Sequence, residues 1–162
     1  MGDKDKSLSR TIYFLAQDSQ NLAQRMLKPY NVTLEQFYLL RVLSQKDTNL
    51  TQKEICQKAS KTPGNITRIL DRLEGKALVI RRSSPNDRRA VIVALTKKGQ
   101  ELLQEADVVF KDFSSRLHSG IDKKTQVIMK RAVDRLSTNV ARISKEVEKR
   151  EHVLRRDSDR NK

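Results

Sequence analysis

Cysteine occurs once, tryptophan is absent, and glycine and proline supply only five and three of the 162 residues. With Cys56 alone, no intramolecular disulfide framework can form. Five scattered glycines offer no phosphate-cradling run, and no nucleophile–base signature is present, so the chain reads as a protein that is not an enzyme. The two histidines, His118 and His152, have neither a cysteine nor each other at ligand spacing, which argues against a metal centre. Aromatics make up 4% of the residues, too few for the stacking surfaces that hold single strands or RNA. No apolar run approaches the roughly 20 residues that span a bilayer. The polar start, MGDKDKSLSR, lacks a signal-peptide core and puts Lys6 where a myristoylation site wants Ser or Thr. A cytoplasmic protein without cofactor is expected.

What the chain has is positive charge. Lys and Arg number 34 against 20 acidic residues, a formal net charge of +14. Between Leu50 and Lys98 twelve basic residues face four acidic ones, a local excess of +8. Such a balance suits duplex nucleic acid. An anionic membrane surface is the other common partner, but here the charge is gathered on one segment rather than along one amphipathic helix.

Hydropathy spacing predicts a mainly α chain in the order α-α-α-α-β-β-α-α. Ile12, Leu15, Leu22 and Met26 form a stripe on a helix that Pro29 ends. Thr33-Leu34-Glu35-Gln36 and Thr51-Gln52-Lys53-Glu54 both read as capping boxes opening helices. Thr62-Pro63 starts another helix, with Ile66, Ile69, Leu70 and Leu73 on its inner face, stopping near Gly75. Two β-branched runs then flank the polar tip SSPNDRR, a hairpin with turn-forming Ser, Pro, Asn and Asp. Thr96 caps a helix with Leu102, Ala106, Val109, Phe113 and Leu117 inward; Gly120 stops it and Asp122 caps the last. There, Met129, Val133, Leu136, Val140, Ile143, Val147 and Leu154 step by four and three, with Arg150 in one skipped position, a seam that wants a partner helix.

The middle segment is a helix-turn-helix followed by a basic hairpin. A helix reading DNA must lay its early residues against base edges in a groove about 12 Å wide. Thr62, Pro63 and Gly64 sit at the entry of the second helix, and Asn65, Thr67, Arg68 and Arg72 lie on or beside its outer face. Arg can fork to guanine, Asn can pair with adenine, and a Thr methyl can touch thymine. Arg82, Ser84, Arg88 and Arg89 in the hairpin supply a second anchor, since an arginine at such a tip fits the narrow, negative minor groove. Asp87 has two equal readings: it holds Arg88 or Arg89 by a charge-assisted bond, or it shapes the turn.

From Leu50 to Leu103 the chain resembles the winged helix-turn-helix of MarR-type transcriptional regulators. The resemblance is carried by Asp87-Arg88-Arg89, by Ala94-Leu95-Thr96-Lys97-Lys98-Gly99, and by Asp71-Arg72-Leu73-Glu74 before Gly75. It implies a homodimer on a palindromic operator, acting as a repressor whose DNA affinity a small ligand modulates. It implies Arg88 as the minor-groove finger and a dimer interface including Ile12, Leu15, Met129, Val133, Leu136, Val140, Ile143 and Val147. The corresponding division is a helical dimerisation region at 7–46 and 97–154, a winged helix at 50–96, and a disordered tail at 155–162. Family ligands are phenolic or apolar, and Tyr13, Tyr30, Phe37 and Tyr38 are the aromatics placed to line such a pocket. Each also suits a core or interface. Two rivals stay open: a winged helix that packages DNA without an effector, and a redox-responsive regulator using Cys56, which otherwise fills the core.

Overall fold

The computed structural model describes residues 7–45, 50–83 and 91–160, with side chains to Glu151. Eight helices and strands of the expected kinds appear: α1 (Leu8–Leu27), α2 (Leu34–Leu43), α3 (Gln52–Ala59), α4 (Pro63–Gly75), β2 (Val79–Ser83), β3 (Val91–Leu95), α5 (Lys97–Leu117) and α6 (Lys123–Arg160). One further strand, β1 (Leu50–Thr51), was not expected. Two residues show no periodicity; β1 exists because Leu50 and Thr51 pair antiparallel with Val93 and Ile92. The sheet order is β1-β3-β2, and the hairpin register sets Arg81 opposite Val93 and Arg82 opposite Ile92.

The helix starts follow the local chemistry. Thr33 Oγ1 accepts from Gln36 N while Gln36 Oε1 accepts from Thr33 N, and Thr51 and Glu54 repeat the exchange. The side-chain and backbone hydrogen bonds from Thr51 hold the Glu54 carboxyl below its ordinary range. Pro63 sits in the first turn of α4, where its missing N–H costs nothing. The Thr62 side chain makes no cap hydrogen bond there.

The chain divides at Leu117–His118 into two units. In the first, a single core runs across the expected boundary at residue 50. Leu27, Phe37, Leu40 and Leu103 from α1, α2 and α5 join Ile55, Ile66, Leu70 and Val93 from the winged segment. Among the described residues, the helices of the expected dimerisation region in this unit share that core with the winged segment. The second unit is α6. Its described side chains are exposed or half-buried, and the helix continues through Arg160, into the tail expected to be disordered. The stretch from Lys123 to Arg160 holds neither glycine nor proline, and i,i+4 pairs such as Lys130–Asp134 and Arg142–Glu146 support its outer faces.

The α5 stripe is rotated from the expected one. Gly99, Leu103 and Ala106 are buried, Leu102, Val109 and Phe113 are half-buried, and Leu117 is exposed. Gly99 sets this rotation. A Cβ there would lie 2.0 Å from the Leu78 carbonyl oxygen, so the helix approaches the backbone more closely than any side chain allows. Thr96 fastens the same corner: its N–H donates to Leu78 O, its hydroxyl donates to Ala77 O, and its oxygen accepts from Gly99 N. Replacing Gly99 with Ala is expected to cost about 2 kcal/mol in urea unfolding. Gly75→Ala, where a Cβ meets nothing within 4 Å, should leave stability unchanged or raise it. Equal stability of the two variants would show that the close approach is not a constraint.

Candidate nucleic-acid interface

α3 and α4 are joined by a short turn in which Ser60 adopts φ 51°, a left-handed conformation. The inner faces of the two helices meet at Ile55, Ile66 and Leu70, all fully buried. This leaves Thr62, Pro63, Gly64, Thr67 and Arg68 exposed and Asn65 half-buried. At Gly64 a Cβ would meet nothing within 4 Å, so the entry of α4 is open on its outer side.

Three of these side chains are held by neighbours. Thr67 Oγ1 donates to Pro63 O at 3.0 Å and accepts from Gln52 Nε2 at 2.6 Å. Asn65 Oδ1 accepts from Arg68 Nη2 at 3.2 Å. The sequence reading did not assign Gln52 a role; its signal was its place one residue after the Thr51 cap, where α3 begins beside α4.

Arg81, on the strand that leads into the basic hairpin, is turned onto α4. Nη1 donates to Glu74 Oε2 at 2.6 Å, Nη2 to Asp71 Oδ1 at 2.7 Å and to Thr67 O at 3.4 Å, and its backbone N–H donates to Glu74 Oε1. Burial pulls the guanidinium pKa down, but the hydrogen bonds to Asp71 and Glu74 outweigh it and leave the pKa raised. The pattern was visible as Asp71 and Glu74 three residues apart on one face of α4, followed by an arginine in the next strand. Arg82, the next residue of β2, is exposed. Ser84, Asp87, Arg88 and Arg89 lie outside the described residues.

Other cations are also committed to the protein. Lys61 Nζ pairs with Glu35 at 2.6 Å, Lys76 Nζ donates to Asn31 O and Gln36 Oε1, and Lys98 Nζ donates to Lys76 O. Lys97, 90% exposed at the start of α5, lies 3.9 Å from Glu101 Oε1 in a solvent-facing i,i+4 pair.

On the other flank of α4 lies a cleft of about 1050 Å³, bounded by α1, α2, α4, α5 and the end of α3. Arg72 lines it with Ile66, Ile69, Leu34, Tyr38 and Leu103, which sets Arg72 on the cleft side of the helix rather than among the outermost residues. Of the four aromatics expected to line a pocket, Tyr38 lines this cleft and the other three do not. Phe37 is fully buried in the core with its ring 4.7 Å from Phe110. Tyr30 packs against the core, and Tyr13 is exposed beside Phe14. Tyr13 lies on α1, Phe37 and Tyr38 on α2, and Tyr30 in the turn between them, and spacing alone does not assign the faces they occupy. Cys56 is half-buried against the core. Among the described residues no group of His, Cys, Asp and Glu could hold a metal ion, and no helix is long and apolar enough to cross a membrane.

The remaining predicted site residues lie on exposed faces. Ile12 and Leu15 face outward from α1, and Met129, Val133, Leu136, Val140, Ile143 and Val147 from α6, with exposures from 37% to 67%.

Residues 30–90 match the sequence profile of the MarR family. The HTH-type transcriptional repressor Rv2887 of Mycobacterium tuberculosis is 30% identical over 113 residues, covering 70% of this chain and 81% of the repressor. Among solved structures, a MarR mutant from E. coli complexed with operator DNA is similar with a TM-score of 0.73 and 27% identity, over 81% of this chain and 94% of that one. The S. aureus MepR–DNA complex shares the fold with a TM-score of 0.78 at 21% identity, over 85% and 99% of the two chains.

The ties between β2 and α4 are expected to act together. A double-mutant cycle of Arg81→Ala with Glu74→Ala should give a coupling of about 1 kcal/mol in urea unfolding, modest because the Glu74 side chain is 40% exposed. A coupling of zero would mean that the strand ladder alone holds the hairpin.

Proposed function

The chain belongs to the MarR family of winged helix-turn-helix transcriptional regulators, and on that premise we propose that it is a repressor binding a palindromic operator in duplex DNA as a homodimer. The observation that carries this reading is the outer face of α4. Asn65, Thr67 and Arg68 stand exposed or half-exposed on a helix braced from behind by Ile66 and Leu70 and from the side by Arg81. A recognition helix needs such bracing, because base-edge hydrogen bonds tolerate little angular play. The position of Arg82 on β2 supports the hairpin as a second anchor, with Arg88 as the residue entering the minor groove.

The apolar exposed stripes of α1 and α6 support the dimer. Six seam residues of α6 repeat at four- and three-residue steps and are left uncovered by their own chain, as expected of surfaces that meet a second copy. Two recognition helices about 34 Å apart would then address successive turns of one DNA face. The cleft beside α4 supports modulation by a small aromatic or apolar effector: a molecule there would touch α2 and the inner flank of α4 together.

Fluorescence anisotropy with the duplex upstream of this protein's own gene, and random duplex as competitor, tests the central claim. A preference of about 10³-fold is expected, and Arg88→Ala should weaken binding by about 1–3 kcal/mol. Binding without preference would instead support a DNA-packaging protein. The dimer has its own test: Val140→Glu with Ile143→Glu should halve the mass measured by light scattering, and an unchanged mass would place the interface elsewhere.

A further inference from the structure

The two hydrogen-bonded pairs on the outer face of α4 restrict what that face can read. Thr67 has one hydroxyl proton, and it is spent on Pro63 O at 3.0 Å. The same oxygen already accepts from Gln52 Nε2 at 2.6 Å. Gln52 is itself half-buried at the start of α3, and its Nε2 also lies 3.5 Å from Pro63 O, so the Thr67 rotamer is held from α3. With its hydroxyl turned toward the protein, the exposed Thr67 side chain presents its methyl group.

Asn65 is constrained in a complementary way. A bidentate pair with adenine requires the Asn amide to accept from N6 and donate to N7. Here Asn65 Oδ1 accepts from Arg68 Nη2 at 3.2 Å. One of the two Oδ1 lone pairs is thereby used, and what the pair offers outward is mostly donors: the Asn65 amide protons and the remaining guanidinium N–H groups of Arg68. Adenine offers the major groove one acceptor and one donor, whereas guanine offers two acceptors, O6 and N7.

From these contacts we infer that α4 reads a thymine through the Thr67 methyl and a guanine through the joined donors of Asn65 and Arg68, and that Gln52 is the positioning residue for the thymine contact. The inference rests on α4 being the major-groove helix. It changes the base assigned to Asn65 from adenine to guanine, and gives a helix of the motif that does not itself read bases a part in specificity.

The experiment selects duplexes from a random-sequence pool on the full chain, then replaces each thymine of the enriched site with uracil and each guanine with 7-deazaguanine, one position at a time. Uracil lacks only the C5 methyl, and 7-deazaguanine lacks only the N7 acceptor. At one thymine position per half-site, uracil should weaken binding roughly fourfold, the factor matching about 0.8 kcal/mol for a buried methyl. At one guanine position, 7-deazaguanine should weaken it roughly tenfold or more. Thr67→Ser keeps the hydroxyl and loses the methyl, so it should abolish the sensitivity to uracil. Thr67→Val keeps the methyl and should retain that sensitivity. Gln52→Ala should reduce it while leaving the response to 7-deazaguanine in place.

An enriched site indifferent to uracil at every thymine, or sensitive to it equally in Thr67→Ser, would overturn the thymine reading while leaving operator binding intact. An enriched site indifferent to 7-deazaguanine at every guanine would overturn the guanine reading in the same way. A pool that yields no enriched sequence would overturn this inference together with the proposed function.

Discussion

At Gly99 the protein has no room for one methyl group. The Leu78 carbonyl stands where a Cβ would be, and Thr96 ties both sides of that gap with three hydrogen bonds. Around this contact the last strand of the hairpin turns directly into α5. Because α5 also places Leu103 and Ala106 in the core shared with α2, the rotation fixed at Gly99 decides which residues of a 21-residue helix face inward. The winged segment is thereby joined to the other helices of its unit through backbone approach and a common core, and a displacement at one end cannot be absorbed in a loop.

Within the winged segment, Arg81 does at the side-chain level what Gly99 does at the backbone. Its fork reaches two carboxylates one helical turn apart on α4 and a carbonyl on the same helix. The strand that leads to the basic hairpin is therefore attached to the helix whose outer face carries Asn65, Thr67 and Arg68. Planar, bidentate geometry suits this task; a lysine could satisfy one carboxylate but not span both at fixed angles. On the opposite flank, Lys76 links the end of α4 to Asn31 and to Gln36, the buried glutamine of the first capping box.

Much of this arrangement was legible in the sequence because it rests on local chemistry. The capping boxes at Thr33 and Thr51 and the proline in the first turn of α4 each act within a few positions, and each marks its helix near its observed start. What was not legible depends on distant partners. β1 is a strand only because β3 lies beside it. The stripe of α5 follows a glycine contact twenty-one residues away in sequence, which periodicity cannot register. Phe37 and Tyr38 are adjacent in sequence, yet one is in the core and the other on the cleft wall. The extended α6 departs from the expected tail because a charged stretch without glycine or proline can remain helical without a buried face.

The internal commitments of the cations also limit their response to ionic strength. Of the twelve basic residues between Leu50 and Lys98, Lys61 and Arg81 pair closely with carboxylates, whereas Arg68, Lys76 and Lys98 donate to neutral oxygens and keep their full charge. A cation already paired with a carboxylate of its own chain displaces fewer counterions from a phosphate than a cation bonded only to neutral oxygens. At about 0.9 ions released per phosphate contact, the pairing of Lys61 and Arg81 withholds roughly two of the ions that the composition of the winged segment alone implies. The surplus charge of this segment is divided between a part that holds the motif in shape and a part that meets the solvent's ions.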